Sequence, residues 1–400
     1  MDENKNFNSN EVTNATEKVE LDSEETTGAP KARLNSKILI IAIAAVLIVA
    51  IIAAVLVISL GGNSDRDRDD DDDEETSDSD DKDDDRDDKD EELIPTEGLE
   101  FAINSDGTYT LVSLGSASKE KTIVIPKVYN ERFVTAIDPD VFKNNTKVKK
   151  IVVPNSVKAT DSPIFAGCTS LESLTIPYIG VGYVYASGLS KFFGDDNSVI
   201  PDSLKKVVVT DDDMIDAHAF SDCNSLTSIK ISDSVTSIVA YAFDNCSSLT
   251  SIEIPNSVTR IFDGAFSSCS SLKSVVIGDS VTSIGNGAFS YCDSLVSIEI
   301  PDSVTSIGNY AFEGCESLKS VVIGDRVTSI GETAFYSCRS LTSIVIPDSV
   351  TSIGGNAFEW CDSLTDVYYK GTEEEWKKIS IDYGNDLLFA ATIHYSYVSK

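Results

Sequence analysis

Apolar positions along the second half of the chain recur with a 23-residue period. Phe220, Phe243, Phe266, Phe289, Phe312, Phe335 and Phe358 are evenly spaced, and a cysteine follows each three residues later, from Cys223 to Cys361. Two earlier units keep the spacing, with Phe142 before Asn145 and Phe165 before Cys168. A second apolar register runs through Ile151, Leu174, Val207, Ile229, Ile252, Val275, Ile298, Val321, Ile344 and Val367. Its steps are 23, 33 and 22 residues and then 23 throughout, which places one insertion of about ten residues between Ile176 and Val207.

One unit predicts its own local structure. Ile298 and Ile300 alternate with Glu299, the period-2 pattern of a half-buried strand. Pro301 and Asp302 then turn the chain, because proline has no N–H to give to a ladder. Val304 and Ile307 begin a second short extended piece that ends at Gly308. Ala311, Phe312 and Cys315 have the spacing of one helical turn, with the phenylalanine filling the interior. A single 23-residue coil has no partner for its apolar face, so the coils must stack. The expectation is a repeat solenoid of about ten coils, built from short parallel strands plus helical turns, on a single N-terminal transmembrane helix. All eight cysteines share one repeat position. Stacked coils about 4.8 Å apart bring such a column within disulfide reach. A stack of inward-facing thiols is the preferred reading.

The repeat strings IPDSVTSIGNYAFEGCESLKSVVI and IPDSVTSIGGNAFEWCDSLTDV resemble the BspA-type leucine-rich repeats of bacterial surface proteins. The likeness extends over about residues 99–395. LEFAINSDGTYTLVSLG resembles that family's entry segment, and DVYYKGTEEEWKKISIDYGNDLLFAATIHY its closing segment. Leucine-rich repeats place Asn or Cys inside the coil at the position of Asn145 and the cysteine column. The resemblance implies adhesion or binding at a cell surface, with no cofactor and no fixed ligand. The chain departs from many members in having an N-terminal span, and it ends SYVSK without a wall-sorting motif, so attachment is expected from the N-terminal end.

Residues 38–58 are 21 consecutive residues without a polar side chain, long enough as a helix to cross a bilayer. Lys31, Arg33 and Lys37 precede the run against Arg66 and Arg68 after it, which favours a cytoplasmic N-terminus and an extracellular repeat domain. Residues 1–37 read as a disordered cytoplasmic tail. Residues 63–98 carry 21 acids against 5 bases and read as an extended, disordered stalk. Residues 99–137 then form an N-terminal cap, residues 138–370 the solenoid with its insertion at 178–203, and residues 371–400 a C-terminal cap. Asp81, Asp83, Asp85 and Glu92 have the spacing of a calcium loop, but Arg86 stands where that loop needs glycine.

A net charge of −34 and a pI of about 4.2 exclude nucleic acid as a partner, since phosphate binding needs clustered Lys and Arg. Two histidines leave little material for acid–base or metal chemistry, and the chain is read as non-catalytic with no metal site. His218 occupies a slot held by Tyr241, Gly264 and Tyr310 in other units, which marks a variable position. What remains is surface. The outward strand row includes Lys230, Glu253 and Glu299, and the insertion carries Tyr178, Tyr183, Tyr185, Phe192 and Phe193. Both are candidate contacts for an extracellular protein or glycan. Their plainer readings are an exposed sheet face and aromatics packed onto the solenoid. Two other functions stay open: a sensor signalling through the tail, or a structural envelope protein.

Overall fold

The computed structural model describes residues 93–158, 162–177, 188–194 and 199–398. The tail, the span at 38–58, most of the stalk, and Tyr178, Tyr183 and Tyr185 lie outside the described residues. Among the described residues no helix is long and apolar enough to cross a membrane.

The described residues wind into a solenoid with two parallel ladders. The broad ladder has twelve short strands, in one group of seven and one of five. Ten of them carry the apolar register seen in the sequence, and paired strands set successive members of it opposite one another, as in Ile252 opposite Val275 and Val321 opposite Ile344, and Leu174 opposite Val207 across the insertion. The outermost two come from the terminal segments. Thr122–Val124 pairs with Lys150–Val152, and Thr392–His394 pairs with Asp366–Tyr369. Their offsets of 28 and 26 residues break the period, so the pattern did not disclose them. The ladder is interrupted between Ser274–Ile277 and Ser297–Glu299, where the Val296 N–H reaches Lys273 O at 3.4 Å. On the other side of each coil, eight two-residue strands from Met214–Ile215 to Ser380–Ile381 form the narrow ladder.

The segment expected to be a helical turn is a pair of reverse turns. Cys315 N–H bonds Phe312 O at 3.3 Å and Leu318 N–H bonds Cys315 O at 3.0 Å, both i to i+3. A helix cannot pass through because Tyr310 and Gly314 adopt left-handed φ values of 59° and 70°. The same two positions are left-handed in every coil from His218 and Asp222 to Asn356 and Trp360. This geometry turns the Phe N–H away from its own coil: Phe289 bonds Ala311 O at 2.8 Å and Phe312 bonds Ala334 O at 2.8 Å. Main-chain bonds therefore tie the coils together even where no strand exists.

The interior is a single apolar column. From Phe220 to Phe358 the rings stack at centroid distances of 4.8–5.5 Å and interplanar angles of 2–15°, which sets the coil step. The cysteines stand beside them. All eight are buried free thiols, and they join coils by donation: Cys246 Sγ–H reaches Phe220 O at 3.1 Å and Cys292 reaches Phe266 O at 3.3 Å. Asn145 does the opposite task at the same position, its Oδ1 accepting from the Lys147 and Val148 N–H groups at 3.0 and 3.1 Å. Burial pushes Cys168, Cys223, Cys315 and Cys361 up to about 12 and holds Cys246, Cys292 and Cys338 well above the ordinary thiol range.

The sign of the consequence follows from linkage. Unfolded thiols begin to ionise near pH 8.5 while the folded ones stay protonated, so this stabilisation is intact below about 8.5 and is lost as pH rises towards 12. Native chain is expected to resist a maleimide at pH 8, with all eight thiols reacting after denaturation. Rapid labelling of the native chain would contradict the inward column.

The turn after each broad strand alternates in composition. Pro255, Gly278, Pro301, Gly324 and Pro347 occupy equivalent positions, giving a two-coil rhythm. A Cβ on Gly324 would lie 2.5 Å from Pro301 C and O, so each glycine makes room for the backbone of the proline coil before it.

The ends differ from the repeats. At the N-terminal end, Glu100–Ile103 and Tyr109–Ser113 form an antiparallel hairpin whose turn places Gly107 at φ 82°. Thr96 N–H bonds Val124 O at 2.9 Å, so ordered structure reaches back into the segment read as stalk. At the C-terminal end, Thr372 and Glu375 make a reciprocal capping box for the helix Glu373–Trp376, and buried Trp376 packs edge-on against Tyr369 at 5.1 Å.

Candidate ligand-binding surfaces

Strand alternation sends one row of the broad ladder outward. Lys230, Glu253 and Glu299 are exposed in that row, with Val276 and Val322 exposed between and beyond them. Register places Val276 between Glu253 and Glu299, while Lys230 lies on the strand paired with that of Glu253, so the two acids are separated and the one base neighbours one of them. Beside them runs a serine row from Ser228 to Ser343, joined strand to strand as in Ser251 opposite Ser274. The row becomes aromatic at its end. Tyr368 stacks on His394 at 4.7 Å and meets Tyr397 at a tilt of 47°, with centroids 4.8 Å apart.

Much of the remaining surface polarity is already used by the fold. Thr259, Thr282, Thr305, Thr328 and Thr351 each donate Oγ1–H to the carbonyl of the threonine one coil earlier, at 3.0–3.2 Å. On the other edge Asp263, Asn286 and Asn309 accept the N–H of the next coil at 2.8–2.9 Å. These columns stabilise coil stacking and leave fewer groups for a ligand than their composition suggests.

The insertion aromatics divide. Phe192 and Phe193 are buried, with centroids 6.3 and 6.0 Å from Phe165, and so they are not a contact surface. Phe165 N–H bonds Phe192 O at 2.7 Å, so the insertion supplies the core and the main-chain acceptor that a regular coil would supply there. This corrects the expectation that both rings present themselves to a ligand.

Among the described residues neither histidine is bonded to a hydroxyl or thiol. His218 stacks on Tyr241 at 5.4 Å. His394 Nε2 lies 2.7 Å from Asp366 Oδ1, and Thr365 Oγ1–H donates to Asp366 Oδ2 at 2.8 Å. The hydroxyl therefore meets the carboxylate and not the imidazole, an order that cannot activate it. His394 and Thr365 together hold the Asp366 carboxyl below its usual range. Among the described residues no group of three or more His, Cys, Asp or Glu side chains is placed to hold a metal ion.

The sequence reading missed a set of exposed rings on the turn edge: Tyr241, Tyr291, Tyr310 and Trp360, with Tyr383 in the closing segment. A signal for them exists. They fall where otherwise similar repeats differ, the positions that Gly264, Gly287 and Gly314 hold in other coils.

The model of the BspA type leucine rich repeat region matches six copies over residues 113–205, 196–305 and 282–382, more than half of the chain. Comparison with curated protein sequences found no match. Among solved structures, the chain is similar to a leucine-rich repeat protein from Bacteroides ovatus, at 22% identity over 76% of this chain and 100% of that one, with a TM-score of 0.35. It is also similar to a leucine rich cell surface protein from Faecalibacterium prausnitzii, at 24% identity over 72% and 97% of the two chains, with a TM-score of 0.28. The Pneumococcal vaccine antigen PcpA matches at 15% identity over 76% and 98%, with a TM-score of 0.29. At these scores the structural likeness carries no argument, and the assignment rests on the repeat model together with the phenylalanine and cysteine columns it spans. The chain is a member of the BspA-type leucine-rich-repeat family.

Proposed function

We propose that this protein is a membrane-anchored cell-surface protein whose solenoid recognises an extracellular protein or glycan without catalysis. Residues 38–58 are the anchor, residues 1–37 lie in the cytoplasm and the repeats stand outside on the acidic stalk. The observation that carries the reading is the contrast between the two faces of one ladder. Inward positions repeat Ile, Val or Leu because stacking demands it, while the outward row changes from Lys230 to Glu253 to Val276 to Tyr368. A face released from the packing constraint on a rigid scaffold is where recognition chemistry is accommodated.

Protease treatment of intact cells tests the arrangement, with one antibody against the tail and another against the repeats. The expected result is loss of the repeats with the tail protected. Repeats that survive until lysis while the tail is cut would reverse the orientation and overturn the surface reading.

A further inference from the structure

The exposed rings on the turn edge occupy backbone positions that disfavour them. Tyr291, Tyr310 and Trp360 have φ of 57°, 59° and 63°, a region that glycine enters without steric cost and aromatic residues do not. Neighbouring coils place Gly264, Gly287 and Gly314 at the same repeat positions, so the fold does not require a ring there. Strain kept at an exposed site, where burial returns little, points from the backbone to a use for the side chain.

Three of the rings have prepared seats, Tyr241 resting on Gly264. A Cβ on Gly314 would meet Tyr291 Cδ1 at 2.6 Å, and one on Gly355 would meet Tyr383 Cε1 at 2.9 Å. Each ring therefore rests against bare backbone of a neighbouring coil and is held in place before any ligand arrives. Trp360 is positioned by the Arg339 guanidinium, 5.4 Å from its centroid. Tyr383 is the most exposed, at 71%.

Tyr383 also walls a shallow cleft of about 410 Å³ that runs along the narrow ladder back to Asn309, the neighbour of Tyr310. Ser329, Ser352 and Ser380 line it, with Glu332 and Asp382 at its edge. Gly331 and Gly354 also line it, at positions where a Cβ would lie 2.5 Å from the backbone of the coil before. Asn309 lines its far end, and its Oδ1 accepts the Glu332 N–H at 2.9 Å. From Asn309 to Tyr383 is three coil steps, about 15 Å at the spacing of stacked parallel strands and rings.

This chemistry selects a ligand class. The rings are separated by polar residues and make no continuous apolar patch of the kind a protein partner covers. Glu332 and Asp382 repel anions, which removes nucleic acids and sulfated or sialylated chains. A pyranose presents an apolar C–H face to an aromatic ring and hydroxyls at its rim to carboxylates, amides and serines. We propose that the edge from Tyr291 to Tyr383 binds a neutral oligosaccharide laid along the coils, with Tyr310 and Tyr383 as stacking platforms and Glu332, Asp382 and Asn309 as hydroxyl partners. The proposal rests on the surface-recognition reading and names its ligand and its place.

The test uses the full chain in a non-glycosidic detergent, with calcium chelated. Immobilised oligomers of glucose, mannose, galactose and N-acetylglucosamine are the probes, and sialylated and sulfated glycans are the comparators. The wild-type chain is expected to retain at least one neutral oligomer. The double variant Tyr310→Gly, Tyr383→Ala should weaken that binding at least tenfold with an unchanged Tm, since glycine suits the left-handed backbone at 310. Tyr241→Gly, on a seated ring outside the proposed edge, and Glu253→Gln, on the broad face, should leave binding unaltered. Capture of only anionic glycans, no neutral capture, or full binding by the double variant would overturn the proposal. Loss of binding in Glu253→Gln alone would move the ligand to the broad face, sparing the surface reading but not this site. Neutral-glycan binding that depends on Tyr310 and Tyr383, in a chain whose repeats face the cytoplasm, would sustain the site while the surface reading fails.

Discussion

Phe289→Ala is expected to destabilise the solenoid by about 3–5 kcal/mol, the usual cost of removing a fully buried phenylalanine. Phe289 sits between Phe266 at 5.1 Å and Phe312 at 5.5 Å, both nearly parallel to it, and has no exposed surface. The cavity cannot close cheaply. Its neighbours are held by Phe289 N–H to Ala311 O, by Phe266 N–H to Ala288 O and by the strand ladders, so collapse would require two coils to tilt. Because each coil touches only its neighbours, one weakened interface divides the stack. Urea unfolding should therefore show a lower midpoint and a broadened or two-step transition. Phe142→Ala, at the end of the column with only an edge-on Phe165 at 5.5 Å, should cost less. A cost below about 1 kcal/mol at Phe289 would mean that the rings are not a continuous column.

Asn385→Ala is expected to cost about 3 kcal/mol or more, because it strips a buried polar group from three partners at once. In the repeats each Phe N–H finds a carbonyl on the next coil, as Phe335 does with Ala357 O at 2.9 Å. Phe358 has no such coil after it. The Asn385 side chain replaces the missing acceptor, with Oδ1 3.1 Å from the Phe358 N–H. Its Nδ2 donates to Gly354 O at 3.0 Å and to Asp382 O at 2.9 Å, which pins the closing segment to the last coil. Asn385 is 1% exposed, so water cannot take over these bonds in the alanine variant. A lowered Tm with early proteolysis within residues 371–398 is the expected signature. A variant that melts and digests like the wild type would show that the cap does not close through this residue.

The two variants probe the parts of the molecule that differed most in legibility. Phe289 stands in a column visible from spacing alone, since a 23-residue identity repeated seven times allows only one stacking arrangement. Asn385 gives no such signal: it is one asparagine in a segment without a period, and its burial depends on where the last coil ends. The edge strands Thr122–Val124 and Thr392–His394 escaped for the same reason. The reverse turns were misread because Ala311, Phe312 and Cys315 fit helical spacing. The alternation of Tyr310 with Gly264 and Gly287 at one position was the clue that this position is left-handed. Phe192 and Phe193 could not be placed from sequence, since an aromatic outside the period is equally compatible with the core and the surface.

Composition and periodicity by themselves determined the solenoid, its inward phenylalanine and cysteine columns and the position of its insertion, because a repeated short-range pattern can be buried only by stacking copies of itself. Tertiary structure alone decided which polar side chains remain for a ligand. Threonine, aspartate and asparagine columns that look free in the sequence are bonded between coils, while rings that look like variable loop residues stand exposed on glycine seats. Both outcomes depend on contacts 23 residues away across the stack, where the register of the backbone, and not the identity of the residue, sets which groups meet.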